Sequence, residues 1–174
     1  MVHIHLSPII NNLEFQNETD ILKKIFSFFK IDLIIYSKML AELDPIEYDA
    51  LIVTDDKSKK IDTTKEIKIN DTISLLIENF SSNSKPIAAL GLGAFTVAYV
   101  LKKKNPLITL GEQSELILNL KKYNIQHESC PADDYITDRD CKILSTPQYL
   151  DPQSDFKKNE KGLTLLIKEL YEMS

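Results

Sequence analysis

The sequence predicts an α/β fold with a mostly parallel sheet covered by helices on both sides. Three observations predict it. Short β-type runs alternate with helix-period runs in the order β-α-β-β-α-β-α-β-α-β-β-β-α. Two of the strands, IDLIIYS (31–37) and DALIVT (49–54), are continuously apolar, as strands buried on both faces of a parallel sheet are. The stretch SKPIAALGLGAF (84–95) passes from an apolar run through two glycines into an apolar helix pattern, which is a strand, a sharp turn and a helix start in line.

The elements follow in order. VHIHL (2–6) alternates and opens the sheet. NETDILKKIFSFFK (17–30) carries Ile21, Leu22, Ile25, Phe26, Phe28 and Phe29 at helical spacing, with Asn17 and Asp20 placed to cap its start. Strands 31–37 and 49–54 follow. NDTISLLIENFSS (70–82) sets Ile73, Leu76, Ile77 and Phe80 on one helix face. Residues 86–90 form the next strand and 93–104 the helix after the turn. PLITL (106–110) is a short strand, and EQSELILNLKKYN (112–124) is a helix ending in lysines, as its dipole favours. IQHES (125–129), DYITD (134–138) and KILST (142–146) read as strands, the last two joined by a tight turn at Arg139-Asp140-Cys141. GLTLLIKELYEM (162–173) closes the chain as an amphipathic helix. Residues 55–70 are the polar outlier and read as a mobile connection.

The chain has 174 residues, which suits one domain over 1–174. Its net charge of −5 argues against nucleic acid or an anionic membrane as partner. The lysine clusters 57–60 and 102–104 are too short to reverse this and read as a solvated loop and a helix C-terminus. No apolar run approaches the ~18 residues of a membrane span. The N-terminus lacks a basic segment and a cleavage site, so a cytoplasmic location with two free thiols is expected. There are four glycines, and each is expected to mark a backbone position that needs one.

The block NPLITLGEQSELILNLKKYNIQHESCPADDYITDRDCKILSTPQYL (105–150) brings together Thr109-Leu110-Gly111, His127, Cys130-Pro131, Asp133-Asp134, Thr146-Pro147 and Tyr149. It resembles the end of the ElbB-type proteins, the isoprenoid-biosynthesis glyoxalases of the ThiJ/PfpI superfamily. YDALIVT (48–54) and SKPIAALGLGAF (84–95) then fall at that family's third strand and nucleophile elbow. The resemblance implies a flavodoxin-like three-layer sandwich of the class I glutamine amidotransferase type, usually a homodimer. It also implies a cysteine on the elbow, a glutamate beside it, and glyoxalase-like addition of a thiolate to a reactive carbonyl.

At the elbow the sequence departs from the family. The cysteine position is Gly91, so the turn remains and the reactive atom does not. NETDIL places Glu18 at the family's acid, although a carboxylate in the first turn of a helix is also explained by the dipole alone. The family's paired glycines after the third strand are Asp55-Asp56 here, negative charge where an oxyanion would need donors.

The other candidates are weaker. Cys130 reads as a small buried residue and Cys141 as an exposed thiol in a turn; neither belongs to a zinc pattern. His3 and His5 share one side of the first strand without a third ligand, and His127 reads as structural. Asp133-Asp134 read as the start of a hairpin. GLGAF lacks the third glycine of a dinucleotide fingerprint, and no Walker lysine or G-x-S-x-G occurs, so no cofactor and no metal are expected.

The leading reading is therefore a degenerate ElbB-like protein with a binding or regulatory role, its ligand a small carbonyl compound or an anion near Gly91, Gly93, Asp55 and Cys130. The alternatives are a glyoxalase-like enzyme using Cys130 or a partner's residue, and an anion sensor using the helix N-terminus at Gly91–Gly93.

Overall fold

The structure, a computed structural model, describes residues 3–7, 13–29, 32–35, 47–54, 61 and 66–174; for 3–7, 13–19 and 32–35 it describes the backbone. Among the described residues the strands are β1 (His3–Ser7), β2 (Asp32–Ile35), β3 (Ala50–Val53), β4 (Ile87–Leu90), β5 (Leu107–Ile108), β6 (Gln126–His127), β7 (Ile136–Asp138) and β8 (Ile143–Thr146). The α-helices among these residues are α1 (Leu13–Phe29), α2 (Asp71–Ser82), α3 (Leu92–Val100), α4 (Ile117–Leu120) and α5 (Phe156–Met173). Their order along the chain is the one the periodicity predicts.

Six strands form one sheet in the order β2-β1-β3-β4-β8-β7. All pairings are parallel except β7 with β8. α1 and α5 cover one face, packing Leu22, Phe26, Leu163 and Ile167 against Ile52, Ala88 and Leu144. α2 and α3 cover the other, packing Phe80, Ile77 and Phe95 against Leu51, Ala89 and Ile143. This is an α/β three-layer sandwich of the flavodoxin type. Burying each such Phe, Leu or Ile contributes about 1.5–3 kcal/mol. β3, β4 and β8 are buried along their whole length, which is why β3 (ALIV) and β4 (IAAL) are apolar runs rather than alternations.

Several boundaries differ from the expected ones. α1 starts at Leu13, so Asn17 lies inside the helix and is not its cap. α2 is capped by Asn70, whose side chain accepts from the N–H of Thr72 at 3.0 Å and of Ile73 at 3.3 Å. α3 ends at Val100 and passes into a 3-10 turn over Lys102–Lys104. The helix expected over 112–124 shrinks to α4 and a 3-10 turn, Lys121–Tyr123. Ser114 is the reason: its hydroxyl and carbonyl take the N–H groups of Leu116 and Ile117 and hold the chain in a turn. β5 and β6 are shorter than expected and pair with each other in a separate parallel sheet. That sheet is tied to the main one by Thr109 N–H donating to Ser145 Oγ at 2.9 Å and Leu107 N–H to Asp138 Oδ2 at 2.8 Å. Asp133 and Asp134 lie in the turn before β7, not in a strand.

α5 begins at Phe156, well before the expected Gly162, because Asp155 accepts from Lys158 N–H at 2.8 Å and caps it. Position 162, inside this helix, holds glycine because a side chain there would run into the Ala132 carbonyl oxygen. Residues 55–60 and 62–65, most of the expected connection, lie outside the described residues. No helix among the described residues is long and apolar enough to cross a membrane.

Candidate functional site

In an open parallel sheet, ligands sit beyond the carboxy ends of the strands, near where the strand order reverses. Here β1 has β2 on one side and β3 on the other, so the reversal falls at β1 and β3. Thr54 follows β3, Gly91 follows β4 and Thr146 ends β8, and these three strand ends lie side by side.

Gly91 turns the chain from β4 into α3 with φ 57° and ψ −129°. An L-residue is strained there, by about 1–3 kcal/mol; glycine is not. Its N–H donates to the Thr146 carbonyl at 3.0 Å, fastening the elbow to β8, and its carbonyl accepts from Ala94 N–H at 3.1 Å. Among the described residues no side chain caps the start of α3. The N–H groups of Leu92 and Gly93, first in the helix, therefore have no intrahelical acceptor and carry the positive end of its dipole. Gly93 is set by packing: a Cβ there would stand 2.5 Å from the Val53 carbonyl oxygen. The absent side chain lets α3 start directly against the end of β3. Phe95 and Tyr99 lie further along the helix, stacked 5.7 Å apart in the core against Tyr123.

Buried polar side chains gather at this edge. Thr54 Oγ1, His127 Nε2, and both amide atoms of Gln148 and of Asn159 are buried without a hydrogen-bond partner among the described residues. Gln148 begins a 3-10 turn, Gln148–Leu150, directly after Thr146-Pro147 and holds φ 52°. That turn packs on α5, whose first turns carry Asn159. Gln148 is 2% exposed and Asn159 0%. Each unpaired buried amide costs about 1–3 kcal/mol. His127 ends β6 beside Gly111 (φ 81°), and Gly111 lies against Pro147 and Asp151. Burial holds the His127 imidazole below its ordinary pKa, partly offset by its hydrogen bond to the Gly111 backbone and by Glu128, so the ring is neutral near pH 7. The charged groups nearby are engaged. Asp151 accepts from Ala132 and Gln153 N–H, at 3.2 and 2.8 Å, and Asp133 pairs with Lys161 at 2.8 Å.

Both thiols are buried. Cys130 is 3% exposed, and burial together with the carboxylates of Asp134, Asp133, Glu128 and Asp151 pushes its pKa up to about 12. It is a thiol at neutral pH and a poor nucleophile. Cys141 is 8% exposed, which corrects the expectation of an exposed turn thiol. The turn folds back so that Cys141 N–H donates to Asp138 Oδ1 at 2.9 Å and its Sγ lies 3.7 Å from the Lys104 carbonyl. Burial and Asp138 raise its pKa to about 11. It borders a groove of about 530 Å³ with Lys104, Leu107, Asp138 and Arg139, away from the elbow.

Of the residues the sequence singled out, the structure places Gly91 and Gly93 at one junction, beside the Thr146–Gln148 segment. Glu18 lies in the second turn of α1, not the first, so the helix-start explanation for a carboxylate there weakens; its side chain, like those of His3 and His5, lies outside the described residues. Asp55 and Asp56 also lie outside them. No group of three metal-ligating side chains occurs among the described residues. Sequence reasoning missed Thr54, Gln148 and Asn159. Gln148 is the variable position of the Thr-Pro-x-Tyr motif, and Asn159 stands in a charged run; neither looks buried in one dimension.

No protein-family model and no curated protein matches the sequence. Solved structures do match in fold. An isoprenoid biosynthesis protein with an amidotransferase-like domain from Ehrlichia chaffeensis superposes with TM-score 0.85 at 13% identity, over 99% of each chain. Drosophila melanogaster DJ-1beta superposes with TM-score 0.59 at 11% identity, over 99% of this chain and 96% of that one. The putative protease I of Bacteroides thetaiotaomicron gives 0.56 at 10% identity over the full length of both. The chain thus shares the α/β fold of these proteins, amidotransferase-like in the first of them, with a glycine at the tip of its own strand-to-helix elbow.

Proposed function

We propose that this chain is a degenerate ElbB-like protein that binds a small carbonyl compound or anion at the elbow without converting it. The observation that carries this reading is Gly91, which keeps the elbow's backbone conformation and lacks any reactive atom. The N–H groups at the start of α3, without an acceptor among the described residues, support a binding role for an anionic or carbonyl oxygen. The likeness in fold to an isoprenoid biosynthesis protein supports the ElbB-like assignment. As in the family it resembles, the protein acts as a homodimer of a single domain, in the cytoplasm.

The alternative, a glyoxalase-like enzyme working through another thiol, is disfavoured by the raised pKa values of Cys130 and Cys141. Incubation with methylglyoxal tests both. No lactate should form with the purified protein. Lactate production lost in Glu18→Gln yet unchanged in Cys130→Ser and Cys141→Ser would show that chemistry persists without an elbow thiol. The binding half is tested by adding lactate and following the backbone N–H signals of Leu92 and Gly93; no movement at tens of millimolar counts against the elbow as a ligand site.

A further inference from the structure

We propose that Gln148 and Asn159 form a neutral carboxamide subsite beside the elbow, selecting a ligand that carries a hydroxyl or amide N–H next to a carbonyl. This deepens the elbow-binding reading and rests on it. Both side chains are almost wholly buried, and all four of their polar amide atoms are without partners among the described residues. They stand on two elements packed against each other. Gln148 is two residues beyond Thr146, whose carbonyl holds the Gly91 N–H. Its backbone sits at φ 52°, a conformation that non-glycine residues seldom adopt.

Buried carboxamides are normally paired, so two unpaired ones on touching elements mark unspent recognition capacity. Each offers two donors and an acceptor and carries no charge. The charges around them are already used: Asp151 on two backbone N–H groups, Asp155 on the Lys158 N–H, and Lys161 on Asp133. A ligand group with both donor and acceptor character matches the amides. A second charge buried there would find no counter-ion.

The test uses the full-length ¹⁵N-labelled chain and two probes of one skeleton, lactamide (neutral) and lactate (charged). The side-chain NH₂ signals of Gln148 and Asn159 are identified by their loss in Gln148→Met and Asn159→Leu. Lactamide should move both NH₂ pairs saturably in the unaltered protein, and Gln148→Met should bind it about tenfold more weakly, as loss of a neutral hydrogen-bonding partner predicts. NH₂ signals unmoved at tens of millimolar lactamide would overturn the proposal, as would binding unchanged in both variants. Lactate moving Leu92 and Gly93 while the NH₂ pairs stay still in both titrations would leave the elbow reading standing and remove this one. NH₂ pairs that move while Leu92 and Gly93 do not would show binding apart from the elbow and overturn both readings.

Discussion

Replacing Gly93 with alanine decides whether that glycine serves packing or ligand binding. The added Cβ would stand 2.5 Å from the Val53 carbonyl oxygen and 3.1 Å from its carbon. Both are backbone atoms of β3 and cannot rotate away, so α3 must shift by several tenths of an ångström. Overpacking of this kind typically costs about 1–3 kcal/mol. Alanine's better helix propensity returns at most about 1 kcal/mol, and less at the second residue of a helix than in its interior. The net expectation is a loss of about 1–2 kcal/mol. For a chain of this size that lowers Tm by about 2–8 °C. Thermal unfolding followed by circular dichroism reads it, with urea denaturation as a second measure. A variant as stable as the parent that no longer binds lactate would refute the packing argument. Glycine would then be needed for close approach of the ligand, not of β3.

Other expectations follow from the same geometry. Gly91→Ala should destabilise by about 1–3 kcal/mol, because φ 57° with ψ −129° strains any side chain; urea titration measures it. Asn159→Leu should stabilise the free protein by about 1–3 kcal/mol, since it removes an unpaired buried amide; a loss of stability would mean the amide is hydrogen-bonded in solution. Both thiols have pKa values raised above the ordinary 9.0, to about 12 and about 11. The folded state therefore holds those protons more tightly, and the stability they confer is complete below pH 9 and lost as pH rises towards 12. Iodoacetamide should accordingly modify both slowly at pH 7, and Cys141 before Cys130 as pH rises. His127 is lowered instead, so its contribution is present above pH 6.5 and lost as pH falls through its folded value. His127→Gln should flatten the stability profile in that acidic range.

The element order was legible in the sequence because periodicity reports burial, and burial here is layered. Ile73, Leu76, Ile77 and Phe80 repeat at helical spacing and are the residues α2 buries. Element ends were less legible because hydrogen bonds outside the apolar pattern set them. Asp155 extends α5 by a cap, and Ser114 shortens the segment before α4 by a turn. Cys141 looked exposed because a turn rich in charge usually is; its burial depends on Lys104, far away in the chain.

The elbow itself was legible from scarcity. With four glycines in the chain, two within three residues after an apolar run demand a backbone reason. The structure supplies a different one for each: a positive φ at Gly91 and a contact with β3 at Gly93. The two reasons bear differently on function. Gly93 would be required by this packing whether or not the site does anything. Gly91 is not required by the fold in the same way, since elbows of this kind tolerate a strained residue when function gains by it. Glycine at 91 therefore removes the strain and offers no side-chain nucleophile, whereas the buried amides of Gln148 and Asn159, without partners among the described residues, carry a cost that the fold does not need. Lactamide recognition by those amides is the prediction that gives this cost a purpose. Packing alone would have no reason to keep two carboxamides without partners among the described residues where apolar residues of similar shape would be more stable.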